Sequence, residues 1–198
     1  MYNIILASGS PRRKEILEQV GIPFTVQVSN KEEVTTEAEP VNIVKGLASL
    51  KANDIAEGAK LHDVIIGCDT IVAYNNQIMG KPKDEEDAKR MLHLLQHDVH
   101  EVYTGVSVII KMEAEDGSIC DKEINFAVET KVYVNAMSDE QIESYVATKE
   151  PMDKAGAYAV QGKFAAHIKK LDGDYYNVVG LPISKLYNVL VEEGILAN

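Results

Sequence analysis

The first dozen residues constrain this chain most. Ile4-Ile5-Leu6-Ala7 is an apolar run that breaks into Ser8-Gly9-Ser10, and Pro11 then opens a segment with helical spacing at Ile16, Leu17 and Val20. Proline suits the first helical position, where its missing N–H would have had no partner. A buried strand that turns directly into a helix aims the unpaired N–H groups of that helix at the turn, where they and the helix dipole attract anions. Arg12 and Arg13 add two forked guanidinium groups that match phosphate oxygens. A capped helix with two exposed arginines is the plainer reading. Two adjacent arginines beside a loop of small residues favour an anion site.

The 198 residues, 45% hydrophobic and 26% charged, suit one soluble domain (residues 1–198) with a sizeable core, or two small, closely joined lobes. A net charge of -11 argues against nucleic acid and anionic membranes as partners. No apolar stretch is long enough to span a bilayer, and the first residues lack the layout of a secretion signal. Cys68 and Cys120 form no CxxC pair, so neither a disulfide framework nor a zinc site is expected, and a reducing cytoplasm is the expected location. An acidic protein that binds phosphate must gather its cations locally. Arg12, Arg13, Lys51 and Lys81 are the candidates.

Hydrophobic spacing predicts an α/β chain with a long antiparallel portion. Strands are expected over 2–7, 24–28, 64–74, 102–112 and 119–134, with a turn at Asn75-Asn76 towards Ile78-Met79. Helices are expected over 11–20, 41–56, 84–96, 138–148 and 182–191, and short strands near 165–168 and 175–178. A mixed sheet with flanking helices follows.

Gly67-Cys68-Asp69-Thr70 interrupts an otherwise apolar strand. A carboxylate there is paired, metal-bound or facing a cleft, because burying it alone is expensive. An Asp satisfying nearby backbone is the plain alternative; beside Thr70 and ahead of Gly80-Lys81-Pro82, a working carboxylate is favoured. Lys81 sits in a rigid turn and Lys51 on an apolar helix, and either alone is a weak signal. Glu32-Glu33 lies in an acidic loop and could offer oxygen to Mg²⁺, although a solvated loop is preferred for Glu32. His93 and His97 stand four apart on an expected helix, without the HExxH glutamate, so a solvated face is expected of them. Residues 154–162 are rich in small side chains that let backbone approach a flat ligand, and Gln161 could read base edges there; close packing is the alternative. Walker A, GxGxxG and GxSxG patterns are all missing.

Taken together, the segments resemble the Maf family of nucleoside triphosphate pyrophosphatases. The matching pieces are residues 6–13 (LASGSPRR), Glu33, Leu47-Ala48 with Lys51-Ala52, 67–70 (GCDT), 80–82 (GKP) and Thr104-Gly105-Val106. Glu129-Thr130, Glu150-Pro151, 153–162 (DKAGAYAVQG) and 173–182 (GDYYNVVGLP) continue the series in order. The resemblance implies a long mixed twisted sheet flanked by helices, with two lobes around a cleft, similar to the inosine-triphosphate pyrophosphatases. It implies cleavage of the α–β phosphoanhydride bond with Mg²⁺ or Mn²⁺, and a homodimer.

The resemblance further implies roles for single residues. Asp69 is the general base, a metal ligand, or both. Glu33 is required for activity and is a second metal candidate. Ser8, Arg13, Lys51 and Lys81 line the triphosphate site, Lys81 with a catalytic part. Arg12, Thr70 and Gln161 match the branch acting on dTTP and UTP, whereas the 7-methyl-GTP branch typically has tryptophan at the position of Arg12. Two departures stand out: Asn30 where aspartate is frequent, which weakens any metal role near residue 30, and Lys149 where glycine is common. A nucleotide-sensing regulator of cell division is the alternative function. An ionised Asp69 beside the phosphates would repel a merely sensed ligand, and so favours catalysis.

Overall fold

A computed structural model describes residues 2–197. The elements run β1 (Asn3–Leu6), α1 (Pro11–Gln19), β2 (Thr25–Val26), α2 (Pro40–Ala56), β3 (Asp63–Tyr74), β4 (Gln77–Met79) and α3 (Glu85–Leu95). They continue with β5 (Val99–Glu113), β6 (Ile119–Val134), α4 (Asp139–Ala147), β7 (Ile168–Asp172), α5 (Tyr175–Val179) and α6 (Ile183–Glu192). Short 3-10 turns cover Glu150–Asp153, Ala155–Ala157 and Lys163–His167. The sheet is mixed, in the order β2-β1-β3-β5-β6-β7, with β4 paired to β3. A mixed α/β sheet flanked by helices is thus observed.

The chain divides into two compact units. The first holds residues up to Asp69, Thr104–Val128 and those from Gly180 on. In it β1 lies parallel to both β2 and β3, with Ile5 opposite Thr25 and Ile65. Helix α2 buries Ile43, Val44, Leu47, Ala48, Ala52 and Ala56, the stripe its 3.6-residue period dictates. Ala52 and Ala56 pack with Ile5, Ala7, Ile65 and Ile109. Their small size brings the helix very close to the strands. A Cβ on Gly67 would overlap the Ala48 carbonyl oxygen and stand 2.8 Å from the Ala52 nitrogen. One on Gly105 would overlap the Val44 carbonyl group in the same way.

The second unit holds Thr70–Tyr103 and Glu129–Val179. Asn75 and Asn76, both with positive φ (50° and 61°), make the two-residue loop that pairs Tyr74 with Gln77. Two left-handed residues give the turn whose twist matches a hairpin, and asparagine tolerates them. Asp84 caps α3 by accepting from Asp87 N at 2.8 Å. Ser138 and Gln141 form a reciprocal capping box on α4. Ala88, Met91, Leu92 and Leu95 of α3 and Ile142, Tyr145 and Val146 of α4 enter one core with Val102, Val132 and Phe164.

Three expectations are corrected. The strand expected over 24–28 is paired only at Thr25 and Val26. Residues 175–178 are helical rather than a strand, because Asp174 Oδ1 accepts from Tyr176 N at 2.7 Å and Asn177 is held by Val102 and Thr130. Residues 165–167 lie in a 3-10 turn, and the strand starts only at Ile168.

Candidate active site

The turn after β1 folds around Arg13. Ser10 N donates to Ser8 Oγ at 3.3 Å, which tightens the turn ahead of Pro11 at the start of α1. Arg13 shares the inner face of α1 with Ile16 and Leu17 and is itself buried, at 9% exposure. Its Nη1 donates to Ser8 Oγ at 2.7 Å and to the Cys68 carbonyl oxygen at 3.1 Å. Its Nε donates to the Gly180 carbonyl oxygen at 2.8 Å. One guanidinium thus ties the turn, strand β3 and the chain just before α6 together. Arg12, next to it on α1, is half-buried.

The second cluster depends on the close approach of α2 to β3. Gly67 and Asp69 are two apart on β3 and so face the same side of the strand. Because Gly67 has no side chain, α2 lies tight against that face, and Lys51 on it reaches Asp69. Lys51 Nζ donates to Asp69 Oδ1 at 2.7 Å and pairs with Glu33 Oε1 at 2.9 Å. The Lys51 and Asp69 side chains are 14% and 11% exposed, and Glu33 is 53% exposed on its loop. A pair this far from water survives because each charge offsets the other's desolvation. Both carboxylates converge on one ammonium. Cys68, between Gly67 and Asp69, is fully buried, and burial raises its thiol to about 11 against the opposing pull of Arg13 and Lys51. It stays protonated and unreactive at neutral pH.

Ser8, Arg13, Glu33, Lys51 and Asp69 all belong to the first unit, with Arg12 beside them on α1. Thr70, Lys81 and Gln161 belong to the second. Thr70 follows Asp69 on β3 and is partly buried. Lys81 is exposed after β4, in a loop held by the bond from Gly156 N to the Gly80 carbonyl oxygen at 3.1 Å. Gln161 is exposed in the turn before Lys163.

Two carboxylates at one point suit an ion such as Mg²⁺, which takes one or two protein carboxylates and completes its shell with water and phosphate. Among the described residues no group of three or more His, Cys, Asp or Glu side chains is placed to hold a metal. His93 and His97 are not on one helical face: α3 ends at Leu95, Gln96 is extended and His97 has φ 59°. His93 stands on the surface 3.9 Å from Asp139. Two features escaped sequence reasoning: the close approach at Gly67, and the Gly180 carbonyl as a partner of Arg13. The second leaves no sequence signal. The first had one, a glycine inside a strand, which signals close approach of other backbone.

The model of the Maf-like protein family matches residues 3–193. A dTTP/UTP pyrophosphatase of Lachnoclostridium phytofermentans is 58% identical over 195 residues, covering 98% of this chain and 97% of that protein. A protein of the same name from Agathobacter rectalis is 46% identical over 208 residues, covering 98% and 99%. Another from Bacillus cereus is 48% identical over 191 residues, covering 96% and 95%. Among solved structures, a HAM1 protein from Coxiella burnetii has a TM-score of 0.48 at 16% identity, over 97% of this chain and 100% of that one, too distant to bear on activity. With its ordered motifs, a family model spanning nearly its whole length and relatives at this identity, the chain belongs to the Maf family.

Proposed function

We propose that this protein hydrolyses the α–β phosphoanhydride bond of nucleoside triphosphates to the nucleoside monophosphate and pyrophosphate. Its preferred substrates are dTTP, UTP and modified pyrimidine nucleotides. The observation that carries the proposal is the buried Asp69 carboxylate, held at 2.7 Å by Lys51 in the same unit as the Ser8–Arg13 turn. Hydrolysis at phosphorus needs positioning and charge neutralisation more than covalent help. The names of the three relatives support the choice of bases.

In the proposed reaction the start of α1, Ser8, Arg12 and Arg13 receive phosphate oxygens. Lys51 and Lys81 supply further positive charge. Asp69 takes a proton from the attacking water as the water oxygen bonds to phosphorus, and pyrophosphate leaves. Thr70, Gln161 and Arg12 set the base preference. Glu33 and Asp69 would hold Mg²⁺ or Mn²⁺, which when bound neutralises charge on the phosphate oxygens. A binding-only role gains nothing from an ionised Asp69 next to those oxygens. The family model spans both units and supports reading residues 1–198 as one Maf-like domain. Among the described residues no helix is long and apolar enough to cross a membrane. We place the enzyme in the cytoplasm as a homodimer, which sedimentation at micromolar concentration tests.

The test is pyrophosphate release from a panel of ribo- and deoxyribonucleoside triphosphates, with Mg²⁺, Mn²⁺ or EDTA. Release from dTTP and UTP ahead of the purine nucleotides, lost in EDTA, is the expected result. Release from no member of the panel overturns the proposal.

A further inference from the structure

The turn that carries Gln161 is fixed from beneath by a carboxylate to which no role has yet been given. Glu150 Oε2 accepts from Lys163 N at 3.1 Å, and Glu150 Oε1 accepts from Tyr145 Oη at 3.0 Å. The same phenol oxygen accepts from Ala159 N at 3.3 Å. Two backbone N–H groups, at 159 and 163, are therefore held on either side of Gln161 by one Tyr–Glu pair. Gly162 lies directly on the carboxylate: a Cβ there would overlap Glu150 Oε1 and stand 2.7 Å from Cδ. A side chain there would push the Glu150 carboxylate out of this position. Glu150 is itself fixed, since its N–H donates to Thr148 Oγ1 at 3.2 Å and Thr148 donates to the Tyr145 carbonyl oxygen at 2.6 Å. Phe164, fully buried, packs against Tyr145 and Tyr158 with ring centroids 5.1 and 4.9 Å away. Burial and the facing Glu150 hold the Tyr145 phenol above its ordinary range, so it remains a donor.

This half-buried seat supports an exposed amide. Glutamine offers one acceptor and two donors, enough to match the hydrogen-bonding edge of uracil. Base discrimination by such a residue depends on where its backbone delivers it. We propose that Glu150 is a positioning residue for base selection: through Tyr145, Gly162 and Lys163 N it fixes the turn that presents Gln161. The inference rests on the proposed role of Gln161 in base preference.

The experiment compares Glu150→Ala, Glu150→Gln, Tyr145→Phe, Gln161→Ala and the Glu150→Ala/Gln161→Ala double variant on UTP and CTP. Both kcat and KM are read, together with the Kd of the non-hydrolysable α,β-imido analogues, so preference is measurable even without turnover. Glu150→Ala is expected to raise KM for UTP more than it lowers kcat, and to reduce the preference for UTP about tenfold, the size of one good hydrogen bond. Glu150→Gln keeps an acceptor and recovers part of it, and Tyr145→Phe loses less than Glu150→Ala. The double variant matches Gln161→Ala alone, as residues acting through one another do. If Glu150→Ala does not fold, Tyr145→Phe and Glu150→Gln carry the same comparison. A reduced preference in Gln161→Ala beside an unchanged one in the clamp variants overturns the positioning role alone. An unchanged preference in Gln161→Ala overturns the base-reading role and this inference together.

Discussion

Gly67→Ala adds one methyl group and should cost far more than a methyl group usually does. The new Cβ would overlap the Ala48 carbonyl oxygen and lie 2.8 Å from Ala52 N and 2.9 Å from Ala52 Cβ. Ordinary carbon contacts begin near 3.5 Å, so α2 must back off by roughly 1 Å, and helix backbone cannot yield locally without losing its ladder. Overpacking of this kind costs about 1–3 kcal/mol. Lys51 sits between residues 48 and 52 on the displaced turn, and its 2.7 Å bond to Asp69 would stretch past hydrogen-bonding range. A misplacement of about 1 Å in a catalytic group can lower turnover about a hundredfold. Urea denaturation and kcat on UTP, corrected for the folded fraction, separate the two effects. Gly46→Ala is the control: it lies on α2 with nothing within 4 Å of its added Cβ, and should stabilise by about 0.5–1 kcal/mol. Native stability and native turnover in Gly67→Ala would refute the reasoning. Lost stability with native turnover per folded molecule would remove Lys51 as the group that sets Asp69.

Other perturbations test other links. Arg13→Lys loses the fork that reaches Ser8, Cys68 and Gly180 at once, so stability should fall by about 2 kcal/mol in denaturant titrations, with weaker triphosphate binding. Binding lost without any fall in stability would deny Arg13 its tie between elements. His100 is buried with Nε2 2.7 Å from Tyr158 Oη, and burial, opposed by Asp98, lowers it to about 4. The unfolded chain protonates this imidazole below about 6.5 and the folded chain only below about 4. In that window the unfolded state binds more protons, so stability is full above 6.5 and declines by about 3 kcal/mol as pH falls to 4. His100→Phe should flatten that part of the pH–stability curve, and an unchanged slope would assign it elsewhere. Arg12→Trp should lower kcat/KM on UTP about tenfold and more than on GTP; equal losses on every base would remove Arg12 from base selection.

Local rules made much of the fold legible. Proline at the start of α1 and α2, the Asp84 cap, the Ser138–Gln141 box and the Asn75-Asn76 turn are decided by neighbours a few residues apart, and each stands where the chemistry puts it. The misread segments were decided from a distance. Tyr175, Tyr176, Val178 and Val179 carry strand-forming side chains, yet Thr130, Asp174 and Asn177 fold them into a helix through bonds spanning up to 75 residues. The spacing of His93 and His97 held no meaning once α3 ended between them.

Asp69 was legible as a carboxylate in an apolar strand, which must have a partner. That the partner is Lys51, with Glu33 on the same ammonium, needed the parallel pairing of β1 with β3 and the seating of α2 on Gly67. Arg13 could have been found on the inner face of α1 from its spacing to Ile16 and Leu17. Its partner Gly180 lies 167 residues away, beyond any local rule.

The central claim is that Asp69 acts on water rather than merely holding Lys51. Asp69→Asn keeps the shape and a hydrogen-bonding oxygen for Lys51 but takes away the proton acceptor. Single-turnover pyrophosphate release from UTP, measured beside calorimetric binding of a non-hydrolysable UTP analogue, tests it most directly. The account predicts release slowed at least about a thousandfold with analogue affinity within about threefold of native. Release at the native rate, or loss of analogue binding in step with loss of turnover, would contradict it.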